Sequence, residues 1–394
     1  MANTFKFGNG NWAVKNGYAL AYNDENNNFK PLPFDFTRAS SATRVNKQGL
    51  VETVPSGKPR IDFLDNTSGH LLLEPSRTNV FPNSDGNLST YASQNGDVSN
   101  ASTSIDGFDN SIQINLDSGE SLAYKRSFTP TIGVTYTLSF FVQMDDNSEP
   151  TQSIDVNSGD FSLWINNSLA IDVSKLNTVR LGSSNIYRVS GTHTATSTNN
   201  RFGIKKYSTQ SSKGFRFAGA QLEVGSYATS YIPTEGSTVT RVAEVANGAG
   251  NSTVFNDSEG VLYAEFSALA NDSTTRVITI NDTSNQLTER VQLFILGTSM
   301  YGRVTDGGVT QGEVSGTPTL TDNNKIAFKY KANDFALWIN GVEVDTSSSG
   351  STPSGLDTIR FDAGTGGSPF YGNFKDIKVY NTALTDTELQ NLTS

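Results

Sequence analysis

One phrase occurs twice in this chain. Phe161-Ser-Leu-Trp-Ile-Asn166 returns as Phe335-Ala-Leu-Trp-Ile-Asn340. Both copies alternate apolar with small or polar residues, the period-two pattern of a β-strand. Each is followed by a turn and another alternation, Leu169-Ala-Ile-Asp-Val173 in the first and Val342-Glu-Val344 in the second. In the second copy the turn is Asn340-Gly341. That dipeptide is a strong hairpin signal, because both residues tolerate positive φ. Two hairpins of one design, set far apart, predict two β-sandwiches in tandem. They favour a binding or structural protein over a soluble metabolic enzyme.

The composition fits. Of 394 residues, 35% are apolar and 17% charged, and Ser, Thr, Asn and Gly fill the deficit. These residues supply the turns between many short strands. With 23 Phe and 14 Tyr, the chain has ample material for packed cores. The net charge of −10 repels phosphates, so neither nucleic acid nor an anionic membrane is expected as a partner. There is no cysteine, which removes disulfides, thiolate nucleophiles and Cys-based metal sites. The N-terminus has no basic stretch followed by an apolar core, so no signal peptide is expected. No apolar run approaches the ~18 residues of a membrane helix.

Three regions are expected. Residues 1–80 read as irregular or short-stranded, a segment that wraps on a neighbour, pairs with another subunit or docks on a larger assembly. Residues 81–244 read as a first sandwich, with strands around 110–116, 136–142, 187–191 and 215–217. Val245-Ala-Asn-Gly-Ala-Gly-Asn-Ser252 reads as a linker. Residues 253–394 read as a second sandwich, with strands around 261–266, 276–280, 290–296, 325–330, 358–361 and 374–380. Thr385-Asp-Thr-Glu388 is a capping box that starts a short C-terminal helix. The expected fold class is all-β: two tandem antiparallel jelly-roll sandwiches after an irregular N-terminal attachment segment.

At these residues the chain resembles known families. Phe36-Thr-Arg-Ala-Ser-Ser-Ala-Thr-Arg-Val-Asn46, Gly49-Leu-Val-Glu-Thr53, Pro59-Arg-Ile-Asp62 and Leu71-Leu-Leu-Glu-Pro-Ser-Arg-Thr-Asn79 resemble a segment of tailed-bacteriophage structural proteins, often fibres or spikes. Gly219-Ala-Gln-Leu-Glu-Val-Gly-Ser-Tyr-Ala-Thr-Ser-Tyr-Ile-Pro-Thr234, with Val239-Thr-Arg-Val-Ala243, is similar to the end of a carbohydrate-binding-module-like sandwich. The run from Gly372 to Leu389 is similar to the closing strand and helix of concanavalin/laminin-G-like domains. The resemblance implies a jelly-roll fold, glycan binding as a common use, and sometimes calcium. It also implies a virion location on head or tail, with other virion proteins as partners. Fibres are commonly homotrimers, so the resemblance also implies a homo-oligomer, a trimer favoured, with the closed cyclic symmetry usual for such assemblies. The arginines of the N-terminal motifs, Arg38, Arg44, Arg60 and Arg77, are the attachment candidates.

Chemistry has little to work with. His70 and His193 are the only histidines, which argues against a His-based triad or a multi-His zinc site. No Glu-x-Asp-x-Glu run is present, so no catalytic residues are assigned. The chain is expected not to be an enzyme. The alternatives are a glycan-degrading depolymerase with acids converging from loops, or a purely architectural capsid decoration. For glycan contact, Trp164 and Trp338 are the candidates. Each lies on the more polar side of its strand, where an indole can stack on a sugar or fill a loop or subunit contact. Asn166 and Asn340 share those faces. The loops Asn256-Asp-Ser-Glu259, Asn281-Asp-Thr283 and Asp362-Ala-Gly-Thr-Gly-Gly367 offer oxygens for a structural calcium, although turn chemistry explains the same residues. No other cofactor is implied.

Overall fold

The computed structural model describes residues 5–8, 12–15, 18–20, 33–94, 98–115, 121–125, 128–155, 157–165 and 176–394. Within them the chain is nearly all β, with one α-helix, Asp386–Thr393, and every strand pairing is antiparallel. Two sandwiches account for most of it. The chain does not lay them down one after the other.

The middle sandwich packs a four-stranded sheet on a six-stranded one. The larger sheet is built on two ten-residue strands, Thr135–Met144 and Phe215–Val224, with Tyr187–Thr194 beside the first. Alternate residues of these strands enter the core. Leu138, Phe140, Val142, Phe215 and Phe217 meet Phe161, Phe202 and Ile204 from the smaller sheet. The strand Ser162–Trp164 lies at the edge of that smaller sheet, beside Phe202–Lys206. The partner expected for it, residues 169–173, lies outside the described residues.

The second sandwich draws on both ends of the chain. Its eight-stranded sheet runs Val342–Ser347, Phe335–Ile339, Asn324–Lys331, Glu259–Ala268, Gly372–Tyr380, His70–Leu73 and Arg60–Asp62, with Phe5–Gly8 on the far half of Gly372–Tyr380. The facing sheet has seven strands: Val309–Gly316, Ser299–Asp306, Arg290–Leu296, Arg276–Asn281, Thr358–Arg360, Val245–Ala249 and Asp35–Thr37. So the described part of the N-terminal segment wraps on this chain's own sandwich. Its strands are only three or four residues long, and their apolar residues, Phe36, Ile61, Leu71 and Leu73, join the sandwich core.

The expected linker is corrected here. Val245–Ala249 is a strand between Asp35–Thr37 and Thr358–Arg360. Its pairing slips by one residue between Asn247 and Ala249, and Gly248 at that point has φ +80°. The glycine serves a β-bulge, which needs a residue at ease in the left-handed region.

Candidate functional site

The first candidates to locate are the arginines expected to grip a partner. Arg38 and Arg60 are buried and bind Glu244, Arg38 Nη1 at 2.7 Å and Arg60 Nη2 at 2.5 Å. Arg60 also reaches Glu74 at 2.8 Å, and Arg241 reaches the same carboxylate at 2.7 Å. Ser230 donates to Glu74 through both its amide and its hydroxyl. Burial alone would raise the Glu74 carboxyl, yet Arg241, Arg60 and Ser230 bring it down to about 2. Arg38 adds bonds to the carbonyls of Ser40, Val54, Pro55 and Lys58. These two guanidiniums hold the chain together and are not presented to a partner. Arg44 pairs with Glu52 at 2.6 Å. Arg77 stands 3.8 Å from Glu223 and over the Tyr227 ring.

The tryptophans differ from one another. Trp338 is buried, because both faces of its strand are covered. Phe335, Leu337 and Ile339 enter the main core. Ala336 and Trp338 enter a smaller one with Val261, Tyr263, Tyr380, Leu384 and Leu389, beneath the C-terminal helix. The polar side of the strand is therefore a second core face, and Trp338 offers no stacking surface to a sugar. Asn340 is consumed by its turn. It has φ +49°, accepts the Lys325 amide and donates to Asn324. Trp164 is half-buried, with Lys205 Nζ 4.3 Å from its ring centroid. Asn166 lies outside the described residues.

The calcium-candidate loops use their oxygens on backbone amides. Asp257 accepts from Gly355 and Leu356, Asp282 from Ser284, and Asp362 from Gly364. Among the described residues, no group of three or more His, Asp or Glu side chains is placed to hold a metal ion.

Sequence reading missed the outer face of the seven-stranded sheet. Cross-strand register sets polar side chains there in rows. One row runs Thr358, Asn281, Arg290 and Thr305. The next runs Asn247, Arg360, Thr279, Gln292, Arg303 and Glu313. In the first row Thr358 Oγ1, Asn281 Oδ1, Arg290 Nε and Thr305 Oγ1 are buried without a hydrogen-bond partner. In the third row Phe294 and Tyr301 stack at 5.0 Å and 12°, and the Arg303 guanidinium lies 4.5 Å from the Phe294 centroid. Tyr301 and Arg303 are partly exposed. The carboxylates bordering this face are all engaged: Glu313 by Arg303, Asp362 by Arg360 and Asn247, and Glu289 by the amides of Gly307 and Ser354. Thr358, Asn281, Thr305, Thr279, Gln292 and Phe294 are buried, so the groups of this face that can meet a sugar from outside are the Tyr301 ring and the guanidiniums of Arg290, Arg303 and Arg360. The signal that could have found it is the polar alternation Arg290-x-Gln292-x-Phe294 against Tyr301-x-Arg303-x-Thr305.

Residues 251–390 match the concanavalin A-like lectin/glucanases superfamily. This lectin-type sandwich therefore carries the polar rows. Among solved structures the chain is similar to the CBM40 of a Ruminococcus gnavus IT-sialidase bound to α2,3-sialyllactose, at 18% identity and a TM-score of 0.32. That likeness covers 38% of this chain and 94% of that one. A leech intramolecular trans-sialidase is 19% identical, covering 37% of this chain and 26% of that one, with a TM-score of 0.31. A heptameric SAP-like pentraxin from Limulus polyphemus is 11% identical over 34% and 70%, with a TM-score of 0.29. No curated protein matches the sequence.

Proposed function

We propose that this chain is a structural component of a tailed-phage virion, a head or tail fibre or spike. It displays a glycan-binding face on its lectin-type sandwich and does no chemistry on the glycan. The observation that carries the reading is the partly exposed Tyr301 ring, stacked on Phe294, with the guanidiniums of Arg290, Arg303 and Arg360 beside it on the same face. Sugars are recognised by this combination, polar groups for hydroxyls and an aromatic surface for the ring. A glycosidase needs two carboxylates flanking the scissile bond at a set separation, and those bordering this face are bound up in structural ion pairs and turns, which supports a binder over a hydrolase. The N-terminal motifs support the virion location. A shallow face gains from repetition, so a homo-oligomer, a trimer as in the fibres it resembles, would add avidity.

The test is a glycan array and a host-cell binding assay on the full chain, with Tyr301→Ala and Arg303→Ala beside it. Both variants are expected to lose at least about tenfold in affinity while keeping the wild-type unfolding midpoint. An unchanged affinity would remove this face from the reading. Mass spectrometry of the incubated glycan should find no released oligosaccharide; release would establish a depolymerase. No binding to any glycan or cell would leave an architectural decoration protein. Peptides of this chain in purified particles test the virion location.

A further inference from the structure

A cleft of about 610 Å³ lies between the two sandwiches. One wall is the outer face of the middle sandwich's larger sheet, with Phe141 and Arg188 side by side across two strands. The rest of the lining comes from the N-terminal segment, with Thr43, Arg44, Asp62, Asp65 and Glu74, and from residues 267–270 and Asn373 of the lectin-type sandwich. Arg188 is only 7% exposed. Its Nη2 donates to Ser139 Oγ at 3.2 Å, and its guanidinium carbon lies 5.4 Å from the Phe141 centroid. Its Nε is buried without a partner. Among the described residues no carboxylate forms an ion pair with it. The acids whose charge reaches it, Glu223, Glu74 and Asp62, make no direct ion pair with it, so this buried guanidinium keeps an unmatched donor.

The surrounding acids do not pair with it: Glu223 accepts from Gln221 and Thr229, and Asp65, on the cleft lining, is exposed and makes no ion pair with it. Glu74 is held by Arg60 and Arg241. Asp62 accepts the amides of Val45 and Leu64, and burial pushes its carboxyl up. The guanidinium fork is built to bind a planar carboxylate in two parallel hydrogen bonds. The remaining lining suits a small polyol. Tyr227 is half-buried and can lie against a ring, while Asn177 and Asn373 can serve hydroxyls. The volume falls within the range of small-ligand sites.

We propose that this cleft binds an acidic monosaccharide unit, a hexuronate or a sugar with an equivalent carboxylate, with the carboxylate on Arg188. The choice of a sugar rests on the glycan reading above, but the site is separate from the sheet face. The experiment is isothermal titration calorimetry of the full chain with glucuronate, glucose and acetate. Glucuronate should bind, and glucose should bind at least about tenfold more weakly. Arg188→Gln should weaken glucuronate by at least about tenfold, and Arg188→Lys should recover part of the loss. Asn177→Trp, at an exposed position on the lining, should also block binding, and it stands in if Arg188→Gln does not fold. Tyr301→Ala should leave glucuronate binding intact, so failure of the sheet face and failure of the cleft are distinguishable. No glucuronate binding to folded wild type, or equal binding to Arg188→Gln, overturns the proposal. Acetate binding as tightly as glucuronate overturns the sugar assignment.

Discussion

Glu74 is where three parts of the chain meet. It lies between the N-terminal strands, Arg60 reaches it from one of them, and Arg241 and Ser230 reach it from the far end of the middle sandwich. Its carboxyl titrates at about 2 against an ordinary 4.5. A carboxyl depressed by folding contributes stability that is fully present above the unfolded value. That contribution is lost as pH falls through the folded value. The urea midpoint is therefore expected to fall between pH 4.5 and 2. Glu74→Gln should lower stability at neutral pH by about 3–5 kcal/mol, because it leaves the buried Arg241 guanidinium without a carboxylate partner. It should also flatten the acid slope, and a variant as steep as wild type would contradict this account. None of the network was legible in the sequence. Arg38 and Arg60 sit among Ser, Thr, Asn and Lys, the company of surface residues. Their partners Glu74 and Glu244 stand as much as 206 positions away.

Elements whose signals are local were readable. The Asn340-Gly341 turn has φ of +49° and +83° and joins Phe335–Ile339 to Val342–Ser347. The capping box is present, with Thr385 and Glu388 exchanging hydrogen bonds at the helix start. What covers an element was not readable. Alternation assigned two faces to the Trp338 strand but could not place the helix over the second one. That helix has eight residues and buries Leu389 and Thr393, so its stability rests on packing, not on length. Leu389 is fully buried in the same small core as Trp338. Leu389→Ala should therefore cost about 2–5 kcal/mol. It should also shift Trp338 emission to the red, read in a Trp12→Phe, Trp164→Phe background. Unchanged emission would mean that the helix does not shield the indole.

At the scale of the molecule, the all-β class and the two sandwiches follow from patterns a few residues long. The chain path does not, because strand order depends on pairings such as Arg60–Asp62 with His70–Leu73 and then with Gly372–Tyr380. Short strands flanked by Ser, Pro and Gly look like an appendage when their partners lie some 300 residues away. The structure makes them part of both sheets of the lectin-type sandwich. A chain beginning at residue 81 would lose Asp35–Thr37, Arg60–Asp62 and His70–Leu73, together with the buried side chains of Phe34, Phe36, Leu71 and Leu73. It would uncover the edges of Val245–Ala249 and Gly372–Tyr380, and unpaired edges invite association between molecules. It would also strand Glu244 and Arg241 without Arg38, Arg60 and Glu74. The truncated chain is thus expected to be aggregated or to unfold at far lower urea than the full chain, in spite of retaining the whole of residues 251–390. In full-length variants that keep only Trp164 or only Trp338, with Trp12 and the other tryptophan replaced by Phe, the two probes should report one coincident urea transition. A soluble 81–394 fragment with the wild-type midpoint would show that the N-terminal strands only decorate a sandwich that stands without them.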